Sequence, residues 1–168
     1  MAAVLSIEQR ELYKEIRSFL LGLFPDAGQQ IIIGMQNNNP LPANAVVMQV
    51  LFTSNLDETS IYHDPDEDLA HAQNSVEVRL QLDFYGALAE KRSRIVYNTW
   101  KSHYGFNAME LCKPLYVQSH TRHPYINDSN QYEDRWIMDL ALQYNPVVTY
   151  PQDYADEAQL NINPVTGP

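Results

Sequence analysis

The chain has 168 residues, 45% of them apolar, and 21 acids against 11 Lys and Arg leave a formal charge of −10. That length fits one compact domain, and that apolar share excludes a disordered tail protein. One cysteine, Cys112, excludes an internal disulfide and a four-cysteine zinc site and fits a reducing compartment, while the acidic balance argues against general binding to nucleic acid or anionic membranes.

The N-terminal stretch MAAVLSIEQRELYKE lacks the basic start and apolar run of a secretory signal, and no window approaches about 18 continuous apolar residues. The expectation is a soluble chain with no membrane contact. Ser6, with Gln9 three residues on, predicts a helix start. Leu12, Ile16, Phe19, Leu20 and Leu23 then share one face, while Glu8, Glu11, Lys14, Glu15 and Ser18 occupy the other. Pro25 and Gly28 end this helix. QIIIGMQ (30–36) reads as a short buried strand closed by the turn-rich NNNPLPAN, and VVMQVLFT (46–53) as a central strand. Residues 54–74 are polar and acidic and predict a long loop, a feature that in compact domains calls for a functional reason.

SVEVRLQLDFYG (75–86) alternates, with Val76, Val78, Leu80, Leu82 and Phe84 on one face and Glu77, Arg79, Gln81, Asp83 and Tyr85 on the other. That pattern predicts a half-buried antiparallel strand whose polar face meets solvent or a partner. Gly86 opens a second helix, ALAEKRSRIVYNTWKSH, with Leu88, Ile95, Val96, Thr99 and Trp100 inward and Lys91, Arg94, Asn98 and Lys101 outward. Arg92 falls inside the apolar arc, a position that makes sense only if it reaches a partner. A short turn or helix (NAMELCKP), a strand LYVQSHT (115–121), a turn-rich link and a strand YEDRWIMDLALQYN (132–145) follow, with PVVTY extending or edging that sheet. The whole predicts an α+β domain over 1–150, an antiparallel sheet of about four to five strands packed by two main helices. Residues 151–168, polar and with three prolines, predict an extended C-terminal arm that orders on binding.

Charge is unevenly placed. Between Arg17 and Arg79 there is no Lys or Arg, and six acids, Asp57, Glu58, Asp64, Asp66, Glu67 and Asp68, fall within 57–68. Lys91, Arg92, Arg94 and Lys101 cluster on the second helix. An acidic loop and a basic helix on one chain are the makings of a head-to-tail self-contact, so these ten residues are the candidate interface. Tyr, at 11 residues, is enriched in the manner of assembly surfaces.

Catalytic patterns are missing from the sequence: it holds neither a phosphate-binding glycine loop nor a nucleophile elbow, and Cys112 has no nucleophile context. Asp64, Asp66 and Asp68 alternate like the start of a calcium loop, but Leu69 and Ser75 stand where a glycine and a bidentate Glu are required. His120 and His123 have no third ligand nearby in sequence. His63 and His71 flank the acidic run, where negative charge favours their protonated form. Lys91, Arg94 and Lys101 interleaved with Tyr97, Trp100 and Tyr104 resemble a single-strand nucleic-acid surface, but the net charge favours an amphipathic helix. The expectation is no enzyme, no cofactor and no metal.

SVEVRLQLDFYG ending in aromatic-Gly, the helix AEKRSRIVYNTWKS at once after it, the LCKPLYVQS strand, a Pro- and Asn-rich loop and YEDRWIMDLALQY form one ordered set. With the N-terminal helix, QIIIGMQNNNPLP and VVMQVLFT, this set resembles the neck and tail-terminator proteins of tailed bacteriophages, especially contractile-tailed ones, over residues 6–148. The resemblance implies a virion subunit, made in the host cytoplasm, that assembles with itself into a ring, expected to be a hexamer, at the head-proximal end of the tail. Such a ring stops growth of the tube, docks tail-tube or sheath protein on one side and a head-side connector or collar on the other, and lets genomic DNA through without binding it specifically. It implies no catalytic residue. The acidic loop and the C-terminal extension exceed the family's minimal core, which leaves another neck ring (collar, gateway or head-completion protein) as an alternative. From a different class, the alternative is a small soluble ligand-binding or enzymatic α+β domain.

Overall fold

A computed structural model of the chain describes residues 2–35, 40–64, 67–126 and 132–152. The chain opens with a two-residue strand, β1 (Val4–Leu5), and the predicted helix α1 (Gln9–Leu23), whose Leu12, Ile16, Phe19 and Leu20 are buried as their spacing requires. The helix start departs from the Ser6 expectation. Glu8 is the N-cap, its N–H donating to Glu11 Oε2 at 2.8 Å, whereas the Ser6 hydroxyl accepts the Val147 N–H at 2.9 Å. A ladder contact with the far end of the chain has taken the oxygen that a local cap would use.

A 3₁₀ turn (Pro25–Ala27) ends α1, and β2 (Ile31–Ile33) and β3 (Val46–Asn55) follow. They pair in parallel, Ile31 opposite Val46, because the connection through residues 34–45 is long enough to bring the chain back in the same direction. Stretch 54–74 is not the expected loop. β3 runs on to Asn55, and β4 (Ser60–Asp64) and β5 (Leu69–Gln73) form an antiparallel hairpin, Tyr62 opposite His71. β6 (Val76–Tyr85), α2 (Ala89–Trp100), the short α3 (His103–Asn107) and β7 (Cys112–Arg122) come next. A small hairpin of β8 (Tyr125–Ile126) and β9 (Tyr132–Glu133) leads into β10 (Arg135–Tyr144) and β11 (Val147–Pro151).

The larger sheet has the order β2-β3-β6-β10-β7, antiparallel apart from the β2–β3 pair. PVVTY does not edge it: β11 lies in a second antiparallel sheet of order β1-β11-β5-β4. The fold is α+β, as the order of elements predicted.

Alternation in β6 sets the core. Leu80 faces Leu140 and Val50 on its two neighbours, and Leu82 faces Met138 and Met48, all on the face that α1 and α2 cover. Trp100, fully buried, meets Phe19 of α1 edge-on, with centroids 5.7 Å apart, and donates its indole N–H to the Ala141 carbonyl at 3.3 Å. Gly86 joins β6 to α2 at φ +79, and a Cβ there would stand 2.9 Å from Asn44 Oδ1. Glycine is required on both counts.

Candidate assembly surfaces

The acidic residues do not act as one group. Asp57 anchors the hairpin: its carboxylate accepts the Ser75 N–H at 2.6 Å and the Ser75 hydroxyl at 2.8 Å, beside a Leu56 N–H to Ser75 carbonyl bond. Those donors, the backbone one first, hold the Asp57 carboxyl below its ordinary value. Glu58 is exposed just before β4, and Asp64 closes β4 opposite Leu69. Glu67 and Asp68 are exposed at the turn, where Asp68 adopts φ +52 and its carbonyl accepts the Gln152 N–H at 3.0 Å. Asp66 lies outside the described residues, as does the predicted arm beyond Gln152.

Stiffness in the hairpin comes from its flanks. Tyr62 stacks on His71 at 4.7 Å, and His71 Nδ1 is 2.9 Å from Thr149 Oγ1 of β11. One cross-strand row of the second sheet runs Leu5, Val148, Ala72, Ile61, and both end residues are about half exposed. An apolar row left open to water on a thin sheet is a surface that assembly would cover.

On α2, Lys91, Arg94 and Lys101 are exposed, as predicted, together with Tyr97. Trp100 points into the core, which rules out the stacking-platform arrangement for that ring. Arg92, expected to reach a partner from the apolar arc, has contacts within its own chain. Its side chain is buried at 8% exposure, Nη1 donates to the Asn44 carbonyl at 2.5 Å, and the guanidinium lies 5.5 Å from the Phe24 ring centre. The nine described candidate residues therefore divide into the acids of the hairpin, exposed except for half-buried Asp64, an exposed basic helix face and one buried cation.

The face of the large sheet away from the helices is polar and internally bonded. Asp139 accepts from Gln81 at 3.1 Å and from Ser119 at 2.8 Å. Arg79 pairs with Glu77 at 2.9 Å and donates to Tyr116 at 2.7 Å, and Arg135 pairs with Asp83 at 2.6 Å. With its charges spent on one another, this face offers little to a titrating or nucleophilic chemistry.

A cleft of about 1050 Å³ opens between residues 41–44, Gly86 and the β8–β9 hairpin, with Tyr85, Tyr125 and Tyr132 on its wall. Its charged groups are also paired: Arg122 with Asp134, and the Tyr125 hydroxyl to Glu133 at 2.8 Å. Burial, then the Glu133 bond and charge, push the Tyr125 phenol up to about 12, so it carries no charge near neutrality. Among the described residues no cluster of three metal-ligating side chains exists. His120 instead stacks on Tyr97 at 5.4 Å and contacts Trp136 at 4.8 Å, and its partial burial, followed by nearby Arg94, lowers its pKa.

Sequence reasoning missed Glu15. Assigned to the solvent face of α1, it accepts the N–H groups of Glu110, Leu111 (2.8 Å) and Cys112 (3.0 Å), and the Cys112 thiol at 3.1 Å. It clamps the start of β7 to α1. Helical periodicity carries no signal for a contact made so far along the chain.

A search of the curated proteins returns no match to the chain. The family model described as phage neck terminator protein matches residues 10–167, which takes in both helices and the whole of the large sheet. The chain therefore belongs to the phage neck terminator family, and is a non-catalytic structural component of the virion at the neck, working among head and tail components in tail termination.

Proposed function

We propose that copies of this chain associate head to tail into a ring, with six subunits expected, that caps the head-proximal end of the tail. The observation that supports this most strongly is the separation of charge: an acidic hairpin and a basic helix face on one chain, on different elements, suit a heterologous contact. Tail-tube or sheath protein would sit on one side of the ring, and a head-side connector or collar on the other. Part of 57–68 faces the channel or the neighbouring subunit; where it faces the channel, its negative charge keeps passing DNA from condensing on the wall. The arm from 151 to 168 docks on a neighbouring subunit or the next ring, and truncation after Tyr150 tests it: loss of docking is expected, and intact ring formation and docking would refute it.

Negative-stain imaging of the purified protein, alone and with tail-tube and connector proteins, tests the reading as a whole. Rings with a central hole, free or on tube ends, are expected. Persistent monomers with no bound tubes or connectors would overturn it.

A further inference from the structure

Arg92 is the one buried cation of α2, and its surroundings do not neutralise it. Among the described residues no carboxylate lies within ion-pair distance, and its pKa is lowered by burial with no acidic neighbour opposing the shift. One of its nitrogens is held by the Asn44 carbonyl, and the guanidinium lies over the Phe24 ring. A pocket of about 270 Å³ opens on it, walled by Phe24, Pro25, Leu88 and Ile95, with Lys91 and Asp26 also lining it, and gives an anion access to its other donors. The pocket has an apolar wall, two cationic side chains against one acid, and ample room for a carboxylate side chain.

We propose that this pocket is a socket for Glu67 of the β4–β5 hairpin of a second copy, which enters, flanked by Asp68, to pair with Arg92 and Lys91. The hairpin is the complementary object: exposed at Glu67 and Asp68, carrying acids and no Lys or Arg, and anchored at its base by Asp57. A chain cannot serve its own socket. The hairpin joins β6 at Val76, while Arg92 bonds to Asn44 beside the opposite, Phe84 end, and the ten residues of β6 span ~30 Å. A knob joined to one end of β6 and a socket at the other make a heterologous contact, which propagates from copy to copy and closes if the rotation allows. The assignment rests on the ring reading and names the contact that builds it.

Sedimentation velocity over a concentration series, with melting curves on the same samples, tests the pairing. Arg92→Met keeps the volume and removes the charge, so self-association is expected to weaken at least about tenfold, alongside a small fall in melting temperature from the lost bond to the Asn44 carbonyl. Lys91→Glu and Glu67→Lys, both at exposed positions, are each expected to weaken association similarly. The double variant restores an opposite-charge pair between positions 67 and 91 but sets the new lysine at position 67 against Arg92. It is therefore expected to associate more tightly than either of these two single variants and less tightly than the wild type. Lower melting temperature with intact association in Arg92→Met would reduce Arg92 to a structural residue and overturn the socket. Loss in Arg92→Met with none in Glu67→Lys would overturn the hairpin as its occupant. Wild-type rings that persist in all three single variants would overturn the contact while leaving the ring; a wild-type chain that forms no ring even on tail tubes would overturn both.

Discussion

Glu15 shows how far a single side chain can depart from the face its spacing assigns. Its carboxylate accepts three consecutive backbone N–H groups and a thiol, where water would otherwise serve the turn before β7. Charge-assisted bonds of this kind contribute more than neutral ones. Glu15→Ala is expected to lower stability by about 1–3 kcal/mol, read as a shift in the urea midpoint without a change in slope. Cys112 lies beneath the same contact, and burial, then the Glu15 bond, push its thiol well above the ordinary value. Thiol reagents are expected to label it only at the rate of unfolding or local opening, and faster in Glu15→Ala; rapid labelling of the wild type would contradict the packing. Arg92 has the opposite history. Its place in the apolar arc was legible in the sequence, but the Asn44 carbonyl and Phe24 ring that receive it come from two other segments.

At the scale of elements, β6 and the 54–74 hairpin are the two extremes. β6 announced itself by strict alternation, because one face is buried under two helices and the other is not. β4 and β5 have no such face: SIYHD is almost wholly exposed, and its order comes from pairing with β5, which pairs in turn with β11 far along the chain. Asp57 holds the base of this hairpin, and its contribution has a definite pH sign. A carboxyl whose native pKa is lowered binds protons less readily folded than unfolded, so its stabilisation is present above the ordinary 3.8 and is lost as pH falls through the lowered native value. Protection of the Ser75 amide against hydrogen exchange is therefore expected to drop as pH falls below 3.8 in the wild type, and to be low at every pH in Asp57→Asn. Equal protection in the two proteins would show that Ser75 does not depend on that carboxylate.

The whole molecule places its net charge of −10 asymmetrically, with the acidic hairpin beyond one end of β6 and the basic α2 starting from the other. If assembly uses that asymmetry, it is salt-sensitive. Replacing Glu58, Asp66, Glu67 and Asp68 by Asn, with Asp57 and Asp64 retained, is expected to leave melting nearly unchanged while weakening ring formation or DNA passage. Normal rings in fully infectious particles would show that the acids serve solubility alone. The same scale explains the family assignment: the match covers nearly the whole chain, and both the helices and the large sheet lie within it.

Periodic burial is a local property, and the sequence by itself determined what depends on it: both main helices, the buried face of β6, β3 and β10 as strands, the α+β class and the family's ordered set of elements. Charge is likewise countable, so the acidic and basic segments were identifiable before any fold. Only the tertiary structure decided that Ser6 joins a ladder rather than a cap, that β2 runs parallel to β3, that 54–74 is a hairpin, and that PVVTY belongs to a second sheet. It also decided that Asp57 is an anchor, Glu15 a clamp and Arg92 a buried cation bonded to the Asn44 carbonyl. Each of these depends on a hydrogen bond or an ion pair between segments distant along the chain, and such partners leave no period in the sequence.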